Sequence, residues 1–157
     1  MSVTTCNIAI GADHRGFAHK QLLINTLEMS SYSFVWEDVG AFDEKRSDYP
    51  IFAHAVCRLL CADKAQYGIL LCGSGIGMSI AANRYPGIYA GIAWNEESAR
   101  AGRADDNTNV LVLPSDFIAD SQLIPMVQTW LSTKFLDHHH LQRLLLIDQL
   151  LEDDKRD

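Results

Sequence analysis

Apolar residues along the chain form five short, nearly continuous runs, separated by stretches in which they recur at wider spacing. The runs cover residues 6–11, 33–39, 67–72, 88–93 and 109–113. Short apolar runs bounded by glycine or polar residues are typical of buried β-strands. The run at 67–72 is apolar almost throughout, which indicates a strand covered by helices on both faces. We therefore predict five β-strands, the first of them buried.

The stretches between these runs carry apolar residues three or four positions apart, as amphipathic helices do. The predicted helices are residues 17–27, 49–60, a stretch ending at 82, 95–102, 121–132 and about 140–151. Strands that alternate with helices form a parallel sheet with right-handed crossovers. The sequence thus predicts an α/β fold: a doubly wound, three-layer α/β/α sandwich with a five-stranded parallel sheet, similar to the Rossmann fold.

Composition favours a single domain over residues 1–157. Hydrophobic residues make up 48% of the chain, enough for a full core without disulfides, and the formal net charge is −7. No basic stretch offers a positive face to nucleic acid or to an anionic membrane, so we expect neither as a partner. We find no signal-peptide pattern and no apolar run near the roughly 20 residues that span a bilayer. The four cysteines form no Cys-x-x-Cys pair, which predicts reduced thiols and a cytoplasmic location.

Two predicted loops contain residues suited to chemistry. Ligands of parallel sheets bind beyond the carboxyl ends of the strands, so the loops after the first and third strands should meet at one site. The first loop contains Asp13 and His14, and the second, residues 73–77, has the sequence Gly-Ser-Gly-Ile-Gly and follows Cys72. Its three glycines allow backbone amides to point at an anion, at what we predict to be a helix N-terminus.

Cys72 is predicted to lie where this loop meets the helix. A thiol at a helix N-terminus has a lowered pKa, and the same amides can stabilise an oxyanion such as an enediolate. The alternative is a buried structural cysteine, but the flanking Gly-x-Gly-x-Gly favours a catalytic base that faces a solvent-filled cleft. Met78 stands where a dinucleotide fingerprint needs glycine and where a cysteine phosphatase needs arginine, and the Gly-Lys pair of a Walker loop is absent.

Three motifs resemble those of the ribose-5-phosphate isomerase B family, which includes galactose-6-phosphate isomerase subunits and tetrose-phosphate isomerases. They are residues 11–17 (Gly-Ala-Asp-His-Arg-Gly-Phe), 46–50 (Arg-Ser-Asp-Tyr-Pro) and 72–84, which begins Cys-Gly-Ser-Gly-Ile-Gly. The resemblance extends from about residue 8 to about residue 147 in the family's order. It implies an aldose–ketose isomerase of carbohydrate metabolism, in the pentose phosphate pathway, that acts on a phosphorylated small sugar and interconverts ribose 5-phosphate and ribulose 5-phosphate.

The resemblance also implies roles for individual residues. Cys72 would move a proton between C2 and C1 of the sugar through an enediolate, and Ser74 would hold the developing oxyanion together with the loop amides. Asp13 would bind sugar hydroxyls. The other residues that it places in contact with the sugar or its phosphate are His14, Tyr49, Gly73, Gly75, Ile76, Gly77, Asp106, His139 and Arg143. No metal or cofactor is implied, and the expected assembly is a homodimer or a dimer of dimers with shared sites and the last helix at the dimer interface.

The chain departs from the family's pattern at charged positions. The usual His-Asn pair before the fifth strand is here Asp105-Asp106, so Asp105 stands where a histidine opens the furanose ring. An arginine after that strand is replaced by Asp116, and a phosphate-binding arginine near the C-terminus is replaced by His139. Each lost charge-assisted bond to phosphate should cost about 1.5–3 kcal/mol if nothing replaces it.

Three explanations of these departures stay open at this stage. Asp105 can open the sugar ring itself if its pKa is raised, or the substrate is a tetrose 4-phosphate, which cannot close a furanose. Alternatively, Arg15, Arg100 or Arg103 supplies the missing cation. A non-catalytic phosphometabolite-binding module is a further reading, favoured by the lost cations. The sequence does not choose the carbon number of the substrate, nor between dimer and tetramer.

Overall fold

The computed structural model describes residues 3–153, which form a five-stranded sheet with helices on both sides. The strands are β1 (Thr4–Ala12), β2 (Tyr32–Asp38), β3 (Tyr67–Cys72), β4 (Ala90–Ile92) and β5 (Val110–Pro114). The helices are α1 (Phe17–Thr26), α2 (Tyr49–Cys61), α3 (Ile76–Ala82), α4 (Glu96–Asp106), α5 (Asp120–Ser132) and α6 (His138–Asp153). Each predicted strand and helix is present at its predicted place.

The strand order is β2-β1-β3-β5-β4, and all neighbouring strands are parallel. This confirms the predicted doubly wound α/β fold. The chain winds from β1 towards one edge and from β3 towards the other, so the winding reverses between β1 and β3. Ala12 lies beside Leu71, and Cys72 lies beside Pro114. The loops after β1, β3 and β5 therefore meet at one edge, at the reversal point where ligands bind in such sheets.

Successive side chains of the central strands enter two different cores. Ile69 and Leu71 of β3 pack on the face covered by α1 and α5. Leu70 and Cys72 pack on the opposite face, which α2 and α3 cover. Because side chains alternate along a strand, a strand between two helical layers is apolar at every position. The same alternation directs the Cys72 side chain towards α2 and α3.

Helix α4 is longer than its apolar spacing predicts. The pattern predicts an end at residue 102, but the helix continues to Asp106. Its last turn, residues 103–106, is mostly polar, so hydrophobic periodicity gives no signal there. The helix ends where Asn107 adopts a left-handed conformation, with φ of 47°. Asp105 and Asp106 therefore lie in the last turn of a helix.

Helix α6 contacts the rest of the fold through a small part of its surface. Leu144 is buried, whereas the other large apolar side chains described in this helix are exposed: Leu141, Leu145, Leu146, Ile147, Leu150 and Leu151. Next to the start of the helix, the amide of Leu136 donates to the carbonyl of Ala104 in α4. Like the other helices within residues 3–153, α6 is not long and apolar enough to cross a membrane.

Candidate active site

Asp13 holds the loop after β1 in place. Its Oδ1 accepts hydrogen bonds from the backbone amides of Arg15, at 2.9 Å, and Gly16, at 3.2 Å. Its own amide donates to the carbonyl of Leu71 at 3.1 Å, which ties the loop to β3. The carboxylate thus forms an Asx turn and is largely buried. Asp13 lies beside the end of β3, as predicted, and one of its carboxylate oxygens is already used by the loop.

His14 is held by the segment that precedes α2. Its ring Nδ1 accepts a hydrogen bond from the amide of Ser47 at 3.3 Å, and its own amide donates to Ser47 Oγ at 3.1 Å. Because Nδ1 acts as an acceptor, the neutral imidazole carries its proton on Nε2. The structure thus joins the first and second motifs and presents a ring N–H donor at the edge where the loops meet.

Tyr49 packs directly on the loop after β3. A Cβ atom built on Gly77 would lie 2.6 Å from Tyr49 Cζ and 2.8–2.9 Å from its two Cε atoms. Only glycine permits this approach, because real Cβ atoms do not come within 3.0 Å of another heavy atom. The second and third motifs are therefore in contact, as expected of residues that line one pocket.

The loop of residues 73–77 turns sharply at Gly75, whose φ is +77°. Glycine adopts this left-handed conformation at little cost, whereas other residues rarely do. The turn brings the amide of Gly75 to within 3.2 Å of Cys72 Sγ, and the amide of Ile76 lies 3.3 Å from Ser74 Oγ. Two backbone amides at the start of α3 therefore donate to side chains of the same loop, the buried sulfur and the exposed Ser74 hydroxyl. That these amides bind an anion stays a prediction.

The structure contradicts two predictions about Cys72, namely that its thiol faces an open cleft and that its pKa is lowered. The residue is only 4% exposed and belongs to the buried cluster between the sheet, α2 and α3, so its thiol does not face an open cleft in the single chain. Burial raises the pKa of the Cys72 thiol. Hydrogen bonds from the amides of Met78, Gly75 and Ser74 lower that pKa, and the charge of Asp13 raises it. The prediction of a lowered pKa is therefore wrong for this state, because desolvation outweighs the amides.

Arg15 and Asp116 form an ion pair above the same loop. Arg15 Nε donates to Asp116 Oδ2 at 2.8 Å, and Arg15 Nη2 lies 2.6 Å from the same oxygen. Gly73 lies under this pair, since a Cβ built there would be 2.6 Å from Asp116 Oδ2 and 2.7 Å from Arg15 Nε. The acid that replaces the expected arginine after β5 is thus neutralised by an arginine from the loop after β1.

Asp105 and Asp106 are not brought to the thiol within one chain. They end α4 and precede the amino end of β5, whereas Cys72 lies beside Pro114 at its carboxyl end. The five residues of β5 separate the two places by roughly 15 Å at about 3.3 Å per residue. Asp106 instead lines a surface cavity of about 480 Å³ together with Trp94 and Asn95.

The first turns of α6 bring one residue, His140, close to Asp105. His140 Nε2 lies 3.7 Å from Asp105 Oδ1, and the rings of His139 and His140 are 4.1 Å apart. Arg143 is exposed and follows one helical turn later. We call Asp105, His139, His140 and Arg143 the C-terminal cluster. Among the side chains described, no group of three or more His, Cys, Asp or Glu residues is placed to hold a metal ion.

Three contacts of the site could not be predicted from the sequence. Ser47 holds His14, Asp116 holds Arg15, and His140 approaches Asp105. Each pair joins residues from different elements, and no local pattern reveals such contacts. The inclusion of Ser47 in the second motif is the one signal present in the sequence.

Comparison with known proteins identifies the family of the chain. Residues 8–147 match the family described as Ribose/Galactose Isomerase. Ribose-5-phosphate isomerase B of Escherichia coli is 34% identical over 87% of this chain and 91% of its own length. A ribose 5-phosphate isomerase of Thermotoga maritima superposes with a TM-score of 0.86 at 40% identity, over 92% of this chain and 98% of that one.

A further solved structure carries a ligand. It is ribose-5-phosphate isomerase B from Mycoplasma genitalium with bound ribulose 5-phosphate, and it superposes with a TM-score of 0.82 at 32% identity. The alignment covers 99% of this chain and all of that one. The fold, the three motifs and these similarities agree. The chain belongs to the ribose/galactose isomerase family.

Proposed function

We propose that this isomerase interconverts ribose 5-phosphate and ribulose 5-phosphate, with Cys72 as the base that moves the proton. The observation that carries the proposal is the contact between Cys72 Sγ and the amide of Gly75, at 3.2 Å. It joins a potential base to the N-terminus of α3, where negative charge is favoured. The binding of ribulose 5-phosphate by the related Mycoplasma genitalium enzyme supports the choice of substrate.

In the proposed reaction, the Cys72 thiolate removes the proton from C2 of the open-chain aldose. The electron pair of that C–H bond forms the C1–C2 double bond, and the former carbonyl oxygen O1 becomes an oxyanion. Amides of the 73–77 loop and the Ser74 hydroxyl stabilise this charge. The thiol then returns the proton to C1, and transfer of the O2 proton to O1 completes the ketose. A raised thiol pKa makes the thiolate scarcer, but it makes each thiolate a stronger base.

His14 and Tyr49 bind the rest of the substrate in this proposal. The Nε2–H of His14 donates to a phosphate oxygen, since Nδ1 is used by the amide of Ser47. The ring of Tyr49 lies on Gly77 and forms one wall of the sugar pocket. Asp13 keeps the loop in shape through Oδ1, and its other oxygen accepts from sugar hydroxyls.

A second copy of the chain completes the site in our proposal. The C-terminal cluster and Asp106 contribute from the partner, so that Arg143 and His139 reach the phosphate while Asp105 and Asp106 reach the sugar. The exposed apolar side of α6 supports this assembly, because a helix with six exposed large apolar residues gains free energy when another surface covers it. The assembly is a homodimer or a dimer of dimers. We place it in the cytoplasm, where its free cysteines stay reduced.

The Asp105–His140 contact bears on the choice of sugar. A pentose phosphate must open its furanose ring before isomerisation, and this step needs an acid and a base. Asp105 lies 3.7 Å from the His140 imidazole, so the pair offers both groups at the position where the family has its histidine. A tetrose 4-phosphate needs no ring opening and is the second candidate substrate, favoured by the carboxylate at position 105.

The experiment compares wild type, Cys72→Ala and the control Cys61→Ala, whose thiol is exposed and outside the site. Four-, five- and six-carbon aldose phosphates are supplied in deuterated water, and both product and C2 deuterium are followed. We expect turnover of the pentose to fall about 10²–10⁴-fold in Cys72→Ala alone. Equal turnover by all three proteins would reject Cys72 as the base. Preference for the four-carbon sugar would identify tetrose 4-phosphate as the substrate. Binding of a sugar phosphate without exchange of its C2 proton would identify a non-catalytic binding module.

A further inference from the structure

Arg15 is a cation in direct contact with the loop that follows Cys72. Its Nε would be 2.7 Å, and its Cδ 3.0 Å, from a Cβ atom built on Gly73. It directly follows His14, and its amide is bound by Asp13. We infer that Arg15, positioned by Asp116, is a phosphate-binding residue of this enzyme. The inference deepens the proposed function and rests on it for the identity of the anion.

The geometry of the ion pair leaves Arg15 able to bind a second anion. Both of its contacts with Asp116, through Nε and Nη2, go to the single oxygen Oδ2. A guanidinium has five N–H donors in a rigid fork, and the hydrogen bond to Asp116 comes from Nε, so donors on Nη1 and Nη2 remain for phosphate oxygens. The side chain of Arg15 is 56% exposed, which leaves this free edge open to a ligand.

Asp116 has a positioning role in this arrangement. A free arginine side chain samples many rotamers, and binding a ligand would require it to give up that freedom. The bond to Oδ2 holds the guanidinium over Gly73 before the substrate arrives. The same bond explains why an acid is acceptable at the position after β5: it is paired, so it does not face the phosphate as an isolated negative charge.

The other two arginines considered from the sequence are placed differently. Arg103 donates to the side chain of Asn107 and the carbonyl of Thr108, and its guanidinium contacts Tyr67 at the amino end of β3. Arg100 lies on α4, whose Ala99 packs in the core under α1 and α5, on the opposite face of the sheet from Cys72. Arg15 alone of the three lies at the carboxyl edge of the sheet, next to His14. In a chain with a net charge of −7, a dianionic substrate needs such a local cation.

The test separates phosphate binding from catalysis. Arg15→Gln removes the charge and keeps a side chain of similar length, and Arg58→Gln is the matched control on the exposed side of α2. We expect KM for the sugar phosphate to rise about 10- to 100-fold in Arg15→Gln, with kcat within about threefold, because one charge-assisted bond is lost. Arg58→Gln should match wild type. Melting temperatures of both variants check that they fold.

A second measurement does not need turnover. Calorimetric titration of ribose 5-phosphate, and separately of inorganic phosphate, into Cys72→Ala and Cys72→Ala/Arg15→Gln reports the dissociation constant directly. We expect it to rise about 10- to 100-fold for both ligands. The inference fails if the constant is the same in the two proteins. If wild type isomerises no sugar phosphate while this difference in phosphate binding persists, the proposed function fails and the Arg15 site stands.

The exchanged pair Arg15→Asp/Asp116→Arg distinguishes binding from a structural salt bridge. The exchange keeps the ion pair and returns an arginine to the loop after β5. We expect KM to recover to within about tenfold of wild type, since a cation again faces the phosphate. The single variant Asp116→Asn should raise KM, with kcat within about threefold and an unchanged melting temperature, whereas a purely structural pair would change the melting temperature and not KM.

Discussion

The backbone amide of Gly75 lies 3.2 Å from the sulfur of Cys72, on a turn that requires a left-handed glycine. This contact stabilises negative charge on the sulfur, because an amide N–H donates to a thiolate. Burial acts in the opposite direction and is the larger effect, so the pKa of the Cys72 thiol is raised. The reactive group of the proposed mechanism is thus a thiol that is protonated at neutral pH and ionises in alkaline solution.

The pH dependence of activity follows from the sign of this shift. The base must be deprotonated, and below its pKa the thiolate fraction grows tenfold per pH unit. Because the pKa is raised, kcat/KM should still increase from about pH 7 to about pH 9, above the pH at which the phosphate becomes a dianion. Initial rates in buffers of constant ionic strength measure this. A plateau already present at pH 7 would show that the assembled enzyme lowers the pKa.

The stability of the fold should decrease as pH rises, whereas the activity should increase. The thiols of Cys6, Cys57 and Cys72 all have raised pKa values through burial, and that of Cys57 is raised to about 12. The folded state therefore holds these protons more tightly than the unfolded state. Stability is complete below the ordinary thiol pKa and decreases as pH rises above it. Urea midpoints between pH 7 and pH 10 should fall, and Cys57→Ala, compared with wild type at each pH, should fall less steeply.

Two features of the site illustrate what sequence can and cannot provide. The loops that carry Asp13 and Cys72 could be placed together because two buried strands and a glycine-rich turn leave clear local patterns. The burial of the thiol could not be predicted, since it depends on how closely α2 and α3 cover the end of β3. The pairing of Arg15 with Asp116 is equally invisible, because the two residues are 101 positions apart.

Asp13 makes two separable contributions. Asp13→Asn keeps an oxygen that can accept from the amides of Arg15 and Gly16, whereas Asp13→Ala leaves both donors without this partner. We expect Asp13→Ala to lower the free energy of unfolding by about 1–3 kcal/mol, and Asp13→Asn to lower it by less, in urea titrations. Equal losses would show that the carboxylate charge, rather than the Asx turn, stabilises the loop.

The same Asp13→Asn variant should change the titration of the thiol. The negative charge of Asp13 raises the pKa of Cys72. Its removal should therefore move the rising limb of the kcat/KM profile, along which Cys72 ionises, to lower pH. Loss of a sugar contact would reduce the rate at every pH without moving the limb. A limb that stays in place would mean that the charge of Asp13 does not act on the Cys72 thiol.

The close contact of Gly77 with Tyr49 predicts a specific coupling. Gly77→Ala places a Cβ atom 2.6 Å from Tyr49 Cζ, and the half-exposed ring must move outwards. We expect a loss of about 1 kcal/mol in the free energy of unfolding, at the low end for overpacking, and a higher KM because the pocket wall moves. In the Tyr49→Ala background the Gly77→Ala change should cost nearly nothing. An equal loss of unfolding free energy in wild type and in Tyr49→Ala would mean that the added methyl group clashes with a residue other than Tyr49.

Cys72 and its 73–77 loop lie apart from the C-terminal cluster within one chain, so mixed dimers give the strongest test of a shared site. If Cys72 of one chain works with Arg143 of its partner, Cys72→Ala and Arg143→Ala are each impaired as homodimers, yet their heterodimer contains one intact site. After unfolding and refolding together at equal amounts, half of the dimers are mixed, so activity should recover to about a quarter of wild type. Separately refolded and then mixed samples are the control if subunits exchange slowly. No recovery in heterodimers, confirmed by native mass spectrometry, would place both residues in one chain's site and require α6 to move towards the Cys72 loop.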